Sequence, residues 1–313
     1  MPYCPITLEP LPARKSYSEA GLRSIHTKLT HLEPLAYSYE AQLREVRRRS
    51  DKMSIQGVQP KLSAVIKLKD SSFALVDRGG RFILKPNPLP YDEVPANEAL
   101  TMRMAAAVGI EVPAHGLLRA KDASLVYFVK RYDRKGRSGK VHVEDFAQLS
   151  GATRETKYDS SLERVVQLVD QFCTFPAVEK PKLAKRLLFC FLTGNEDMHL
   201  KNFSVWVQDG VVSLTPAYDL LSTTLVLENA KEESALPLDG RKKKLSKKLW
   251  LEYFCKERLQ LTEVQIAKVM KELKDAIPIF ERLIRQSLLS EQLQLGYQKI
   301  LQDRAKRLGI EEE

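Results

Sequence analysis

The sequence contains no apolar run of about 18 residues, the length a helix needs to cross a bilayer. Its N-terminus also lacks the apolar core of a secretory signal. These absences lead to the expectation of a cytoplasmic protein with no membrane partner. Cysteine is scarce: Cys4, Cys173, Cys190 and Cys255 are the only four, and no two form a CxxC pair. Neither a disulfide framework nor a zinc site is signalled, and Tyr3 to Thr7 looks at most like half of a zinc knuckle. Cys173 and Cys190 lie in apolar helical stretches and read as small core residues. There is no GxGxxG loop, internal repeat or low-complexity segment. Without a helix-turn-helix or a basic motif interleaved with aromatics, nucleic-acid binding rests on charge alone.

What is present suits an ordinary globular chain. Its 313 residues are 43% hydrophobic and 29% charged, enough for one large or two medium domains with a sizeable core. A net charge of +10, from 50 Lys and Arg against 40 Asp and Glu, favours anionic partners without specifying one. The basic runs Arg47-Arg48-Arg49 and Lys242 to Lys248 read as solvated surface; a nucleic-acid-binding protein built around them is the reading from another functional class.

Residues 1–30 read as irregular, with four prolines by Pro12, and Leu32 to Arg49 as a short amphipathic piece. Strand patterns follow at Ser63–Leu68, Ser72–Val76 and Arg81–Lys85, with Gly79-Gly80 as a turn. Before them lies the polar loop Met53 to Lys61, centred on Gly57, which can aim backbone N–H groups at phosphate oxygens. Pro95 opens a helix that Gly109 stops, with Glu98 in its first turn and Met102 and Ala105 on the same face. Two more strands, Gly116–Leu118 and Leu125–Val129, lead into Lys130-Arg131-Tyr132-Asp133-Arg134. From Ser160 on, helical periodicity dominates. The C-terminal part predicts three helices: Thr262–Ala276 with Thr262 as N-cap, Pro278–Leu289 and Ser290–Leu308.

The chemistry concentrates in nine residues, Gly194 to Asn202, between an apolar run and a short strand. A protein-kinase catalytic loop reads H-R-D-L-x-x-x-N: an Asp that accepts the substrate hydroxyl proton and, five places on, an Asn for magnesium. Asp197 and Asn202 share that spacing. Pro216-Ala217-Tyr218-Asp219-Leu220 then supplies a second acid after another apolar strand, where a kinase keeps its metal-binding Asp. Lys85 ends a strand, as the phosphate-contacting kinase Lys does, and Glu98 is available to pair with it. The architecture is α+β and two-lobed: an N-terminal irregular and helical segment at 1–50, a β-rich nucleotide-binding lobe at 51–135 and a helical catalytic lobe at 136–313.

Seven ordered motifs carry a resemblance. They are Ser54 to Lys61, Ile83 to Pro86, Asn97-Glu98, Val129 to Arg134, Glu144 to Phe146, Gly194 to Asn202 and Pro216 to Leu220. Together they resemble the HipA family of bacterial toxin Ser/Thr kinases, from about residue 50 to the C-terminus. The resemblance implies a protein-kinase-like fold using ATP and Mg2+. It implies Asp197 as the catalytic Asp and Asn202 and Asp219 as metal ligands. Lys85 would hold the nucleotide phosphates, fixed by Glu98. Lys130 to Tyr132 would form the adenine hinge, with Asp133 near the ribose. His199 would be a buried hydrogen-bonding post and not a base, with Lys201 reaching the transferred phosphoryl group.

Ser54, Gln56, Gly57 and Val58 would form the phosphate loop, with Ser54 its autophosphorylation site. About 50 residues precede that loop, which is similar to the short HipT type, whose antitoxins are a HipS-like small protein and a HipB-like DNA-binding protein. DNA would then be contacted only through the antitoxin. The substrate implied is an aminoacyl-tRNA synthetase, whose phosphorylation stalls translation, with growth arrest and persistence as the outcome. The same fold acting on a lipid or small molecule is the alternative.

Overall fold

The computed structural model describes residues 2–49, 59–136, 139–153, 155–227 and 231–310. The expected phosphate-loop residues Ser54, Gln56, Gly57 and Val58 lie outside them.

The N-terminal lobe is built on a five-stranded antiparallel sheet of β1 (Leu62–Lys67), β2 (Ser72–Leu75), β3 (Phe82–Lys85), β4 (His115–Arg119) and β5 (Leu125–Lys130), in the order β2-β1-β3-β5-β4. Strand period decides what covers it. On β5, Val126 and Phe128 point to one face and Tyr127 and Val129 to the other, and all four are buried. Tyr127 and Val129 pack with Leu100 and Met104 of the helix Val94–Ala107, which begins at the expected proline.

Val126 and Phe128 meet a cluster that includes Cys4, Ile6, Leu11, Leu22, Ile25 and Leu29. The stretch expected to be irregular therefore closes the outer face of the sheet and contains a short helix, α1 (Glu19–Ile25). It also covers the β4 edge: the Leu117 N–H donates to the Pro5 carbonyl at 3.1 Å and the Leu35 N–H to the Arg119 carbonyl at 2.9 Å. Gly116 permits this approach, since a Cβ there would stand 2.9 Å from the Ile6 Cα. Capping an open edge in this way blocks strand-to-strand association. Cys4 sits within the packing, its sulfur accepting from the Ser18 N–H at 3.2 Å. The helix α2 (Tyr39–Arg49) follows, and the one packed on the inner sheet face is α3.

After β5 come the two-residue strands β6 (Arg134–Lys135) and β7 (Gly139–Lys140), then β8 (Val143–Asp145) and the capped turn α4 (Phe146–Leu149). The remaining elements are α5 (Leu162–Phe172), α6 (Pro176–Thr193), the hairpin β9 (Ser204–Gln208) and β10 (Val211–Leu214), α7 (Thr223–Val226), a π-wound helix at Leu249–Arg258, α8 (Glu263–Gln286) and α9 (Glu291–Leu308). Two helices were expected where α8 runs unbroken through Pro278. Proline removes one backbone bond and crowds the preceding turn. Buried Ile277, Phe280, Leu283 and Ile284 nonetheless hold the helix on the core, with Phe280 edge-on to Phe189 at 5.8 Å. Tertiary packing outweighs the local cost.

His115 offers a test of the lobe's stability. It is buried, its Nδ1 2.8 Å from the Pro113 carbonyl oxygen. Burial, aided by the Arg103 charge, lowers its imidazole from 6.5 to about 4. Between those values the unfolded chain binds a proton that the folded chain refuses, so stability is lost as pH falls through that window. The full shift corresponds to about 3 kcal/mol. Urea titrations of the wild type and of His115→Phe from pH 7 to 4 are expected to show the steeper acid loss in the wild type.

Candidate active site

Three elements converge on a cleft of about 700 Å³ between the lobes. The first is the end of β3. Lys85 is 1% exposed, and its Nζ lies 2.5 Å from Glu98 Oε1 and 2.5 Å from Asp219 Oδ1. Burial alone would strip its proton, but the two carboxylates hold the ammonium charged and raise its pKa. A lysine with 1% exposure requires such partners. Glu98 comes from α3, and Gln59 Nε2 donates to its other oxygen at 3.2 Å.

The neighbouring Asn97 explains why α3 and the Asp219 segment stay in register. Its amide both donates to the Ser222 carbonyl at 2.8 Å and accepts from the Ser222 N–H at 2.9 Å. Asp219 adopts a left-handed backbone with φ of 54°, which Asp tolerates better than most residues. Its Oδ2 faces Lys61 Nζ at 3.2 Å. Burial would raise this carboxyl, yet Lys85 and Lys61 together pull it far below the ordinary range.

The second element is the loop after α6. Gly194 ends that helix at φ of 70°, and a Cβ there would stand 2.9 Å from Thr224 Oγ1, so glycine serves both the turn and the contact. Asn195 Oδ1 accepts from the Asp197 N–H at 3.0 Å, and Asn202 Nδ2 donates to the Asp197 carbonyl at 2.7 Å. That second bond gives the five-residue spacing a physical meaning: the Asn amide closes the loop that presents the acid. The Asp197 side chain is 44% exposed.

His199 is buried, with Nε2 2.7 Å from Lys157 Nζ and 4.0 Å from Asp197 Oδ1. Burial lowers its pKa, and the Lys157 charge adds to this while Asp197 opposes it. The neutral ring suits the expected scaffold role. Lys201 lines the cleft, and its carbonyl accepts from the Tyr218 hydroxyl at 2.9 Å.

The third element is the segment after β5. The N–H groups of Lys130 and Arg131 are already bonded to the Ala114 and Arg81 carbonyls, at 2.7 and 2.8 Å. Tyr132 stacks on Tyr218 with ring centres 5.8 Å apart and sets its edge against Trp206. Asp133 receives Arg131 Nε at 2.9 Å and Nη2 at 2.6 Å. Its carboxylate, expected near a ribose, is therefore held by Arg131 as it enters the cleft. Burial would raise its pKa, but Arg131 and Arg134 lower it.

The donor set bears on the metal. Among the described residues no group of three or more His, Cys, Asp or Glu side chains could hold an ion. Asp219 and Asn202 provide two hard oxygen donors on one wall of the cleft. That is too few for a free-standing site but suits Mg2+, which keeps waters and binds through one or two protein oxygens plus substrate phosphates. Five lysines on the cleft wall, Lys61, Lys85, Lys130, Lys157 and Lys201, favour a polyanion there.

Sequence spacing assigned no role to Lys61, Lys157 or Tyr158, yet Lys61 touches Asp219, Tyr158 touches Asp197 and Lys157 touches His199. Lys157 and Tyr158 are about 40 residues from the loop they contact, and no local pattern marks them.

The family model for the HipA-like C-terminal domain matches residues 53–279. The chain belongs to this HipA-like family. A putative kinase of Haemophilus influenzae is 30% identical over 242 residues, covering 72% of this chain and 69% of that protein. The Sinorhizobium fredii putative kinase Y4dM is 35% identical, covering 64% and 52%. The serine/threonine-protein kinase toxin HipA of Shewanella oneidensis is 28% identical, covering 60% and 47%. This HipA-like chain thus spans about half the length of the last two.

Among solved structures, the Shewanella HipA in complex with HipB and operator DNA superposes with a TM-score of 0.71 at 22% identity, over 90% of this chain and 74% of that one. The Helicobacter pylori proinflammatory kinase CtkA gives 0.55 at 17% identity, over 76% and 89%. The two-lobed kinase-like fold expected from sequence is the fold observed.

Proposed function

We propose that this chain is a Mg-ATP-dependent serine/threonine protein kinase and the toxin of a bacterial toxin–antitoxin system. The observation that carries the reading is Lys85 bridging Glu98 and Asp219 on the wall of the cleft that also holds Asp197 and Asn202. ATP would lie with its adenine against the 130–132 segment, where the backbone of Tyr132 is the candidate for its edge, and with its phosphates toward Lys85 and the 54–58 loop. The acceptor hydroxyl oxygen attacks the γ-phosphorus, the bond to the β–γ bridging oxygen breaks, ADP leaves, and the hydroxyl proton passes to Asp197. Mg2+, held by Asp219 and Asn202, would neutralise charge on the phosphates. Lys201, on the cleft wall, is the proposed residue to steady the transferred group, and Ser54 is the proposed autophosphorylation site. Positioning and electrostatics carry such a reaction.

The substrate we propose is an aminoacyl-tRNA synthetase in the cytoplasm, and the partners HipS-like and HipB-like antitoxins as in the HipT type. The relatives named as kinases support the kinase activity, and the Shewanella complex of HipA with HipB supports a HipB-like partner. Phosphoproteomics after brief expression of wild type and Asp197→Asn tests it. A synthetase serine phosphorylated only with the wild type is the expected result. Intact mass of the purified proteins reads Ser54: an added phosphate in the wild type alone is expected, and its absence from both contradicts autophosphorylation.

A further inference from the structure

The acid that should receive the acceptor's proton already has a hydroxyl bound to it. Tyr158 donates its phenol O–H to Asp197 Oδ1 at 2.7 Å. That is the bond a serine or threonine acceptor must make for Asp197 to act as base. Tyr158 is 40% exposed, so this bond to Asp197 is open to a protein acceptor from solvent.

Its placement is specified at several points. The Tyr158 ring meets His199 edge-on, with centres 5.0 Å apart, and Lys157 Nζ lies 4.8 Å from the Tyr158 ring centre. Lys157 also accepts from the Leu200 N–H through its carbonyl at 3.3 Å, and its ammonium reaches His199 Nε2 at 2.7 Å. The segment is fixed downstream where Ser161 caps α5. Burial, with the Asp197 carboxylate beside it, pushes the phenol well above its ordinary range, so it stays a donor at neutral pH.

We propose that Tyr158 is a specificity-determining residue that guards Asp197. Its hydroxyl occupies the acceptor position in the absence of protein substrate, denying the base to water, and yields to a serine or threonine delivered by a docked protein. Resting on the kinase reading, it explains how a half-exposed catalytic acid in a wet cleft would avoid hydrolysing ATP. A hydroxyl held on a docked protein competes for this bond with the advantage of fixed orientation, which a free water lacks.

The test is phosphate release from Mg-ATP with no protein acceptor, by wild type, Tyr158→Phe, and Tyr158→Phe combined with Asp197→Asn, alongside ATP affinity by calorimetry. Phenylalanine keeps the ring against His199 and removes only the hydroxyl. A hydrogen bond to a charged group, once lost, should raise hydrolysis on the order of tenfold or more. ATP affinity should be unchanged, and the rise should vanish in the double variant. A merely structural role would lower activity instead of raising it. Unchanged or reduced hydrolysis in a Tyr158→Phe protein, while the wild type transfers phosphate to protein, overturns the guard alone. Phosphate found on Tyr158 also overturns it, because the residue would then be an acceptor. Failure of all three proteins to bind Mg-ATP overturns the kinase reading and this inference with it.

Discussion

Asp197→Asn is expected to reduce γ-phosphate transfer by about 10²- to 10⁴-fold, the usual contribution of a positioned general base. Folding and ATP affinity should be nearly unchanged. The loop's own bonds at this position use the backbone: the N–H bonds Asn195 and the carbonyl accepts from Asn202. Neither is touched by the substitution, and the asparagine oxygen can still accept from Tyr158. With the side chain 44% exposed, a stability change within about 0.5 kcal/mol is expected. Single-turnover transfer assays with calorimetric ATP titration separate the two effects. Loss of ATP binding would move Asp197 from the chemistry to the nucleotide.

Lys85→Met should be costlier and in a different way. It removes the ammonium between two carboxylates and leaves Glu98, 0% exposed, without its charged partner. Breaking a buried pair from one side costs about 3–5 kcal/mol. Asp219 retains Lys61 at 3.2 Å, so the damage should centre on Glu98. The paired variant Lys85→Met with Glu98→Leu is therefore expected to regain most of the lost stability by chemical denaturation while remaining inactive. Recovery of transfer in that double variant would show that Lys85 serves only the fold.

The order of the site was legible in sequence because each part has a local pattern: a lysine at a strand end, a glutamate in a first helical turn, an acid and amide five apart. Asn97 and Gly194 show why the pattern holds, since one ties α3 to Ser222 and the other turns α6 into the loop. What was not legible depends on distant contacts. The first 30 residues read as irregular because their apolar residues lack a period, yet they pack on the β-sheet face that Val126 and Phe128 present. Pro278 reads as a helix break because propensity is local and the packing of Phe280 is not. Tyr158 belongs here too, since its partner Asp197 is fixed only when the chain closes.

The account turns on a phosphoryl group moving from ATP directly to a protein hydroxyl whose proton Asp197 receives. Incubation of wild type and Asp197→Asn with γ-labelled ATP, Mg2+ and whole-cell extract, followed by separation of protein, lipid and small molecules and by phosphoamino-acid analysis, measures this directly. Label on protein serine or threonine with the wild type alone is the predicted result. Label confined to lipid or metabolite, or equal labelling by Asp197→Asn, would contradict it.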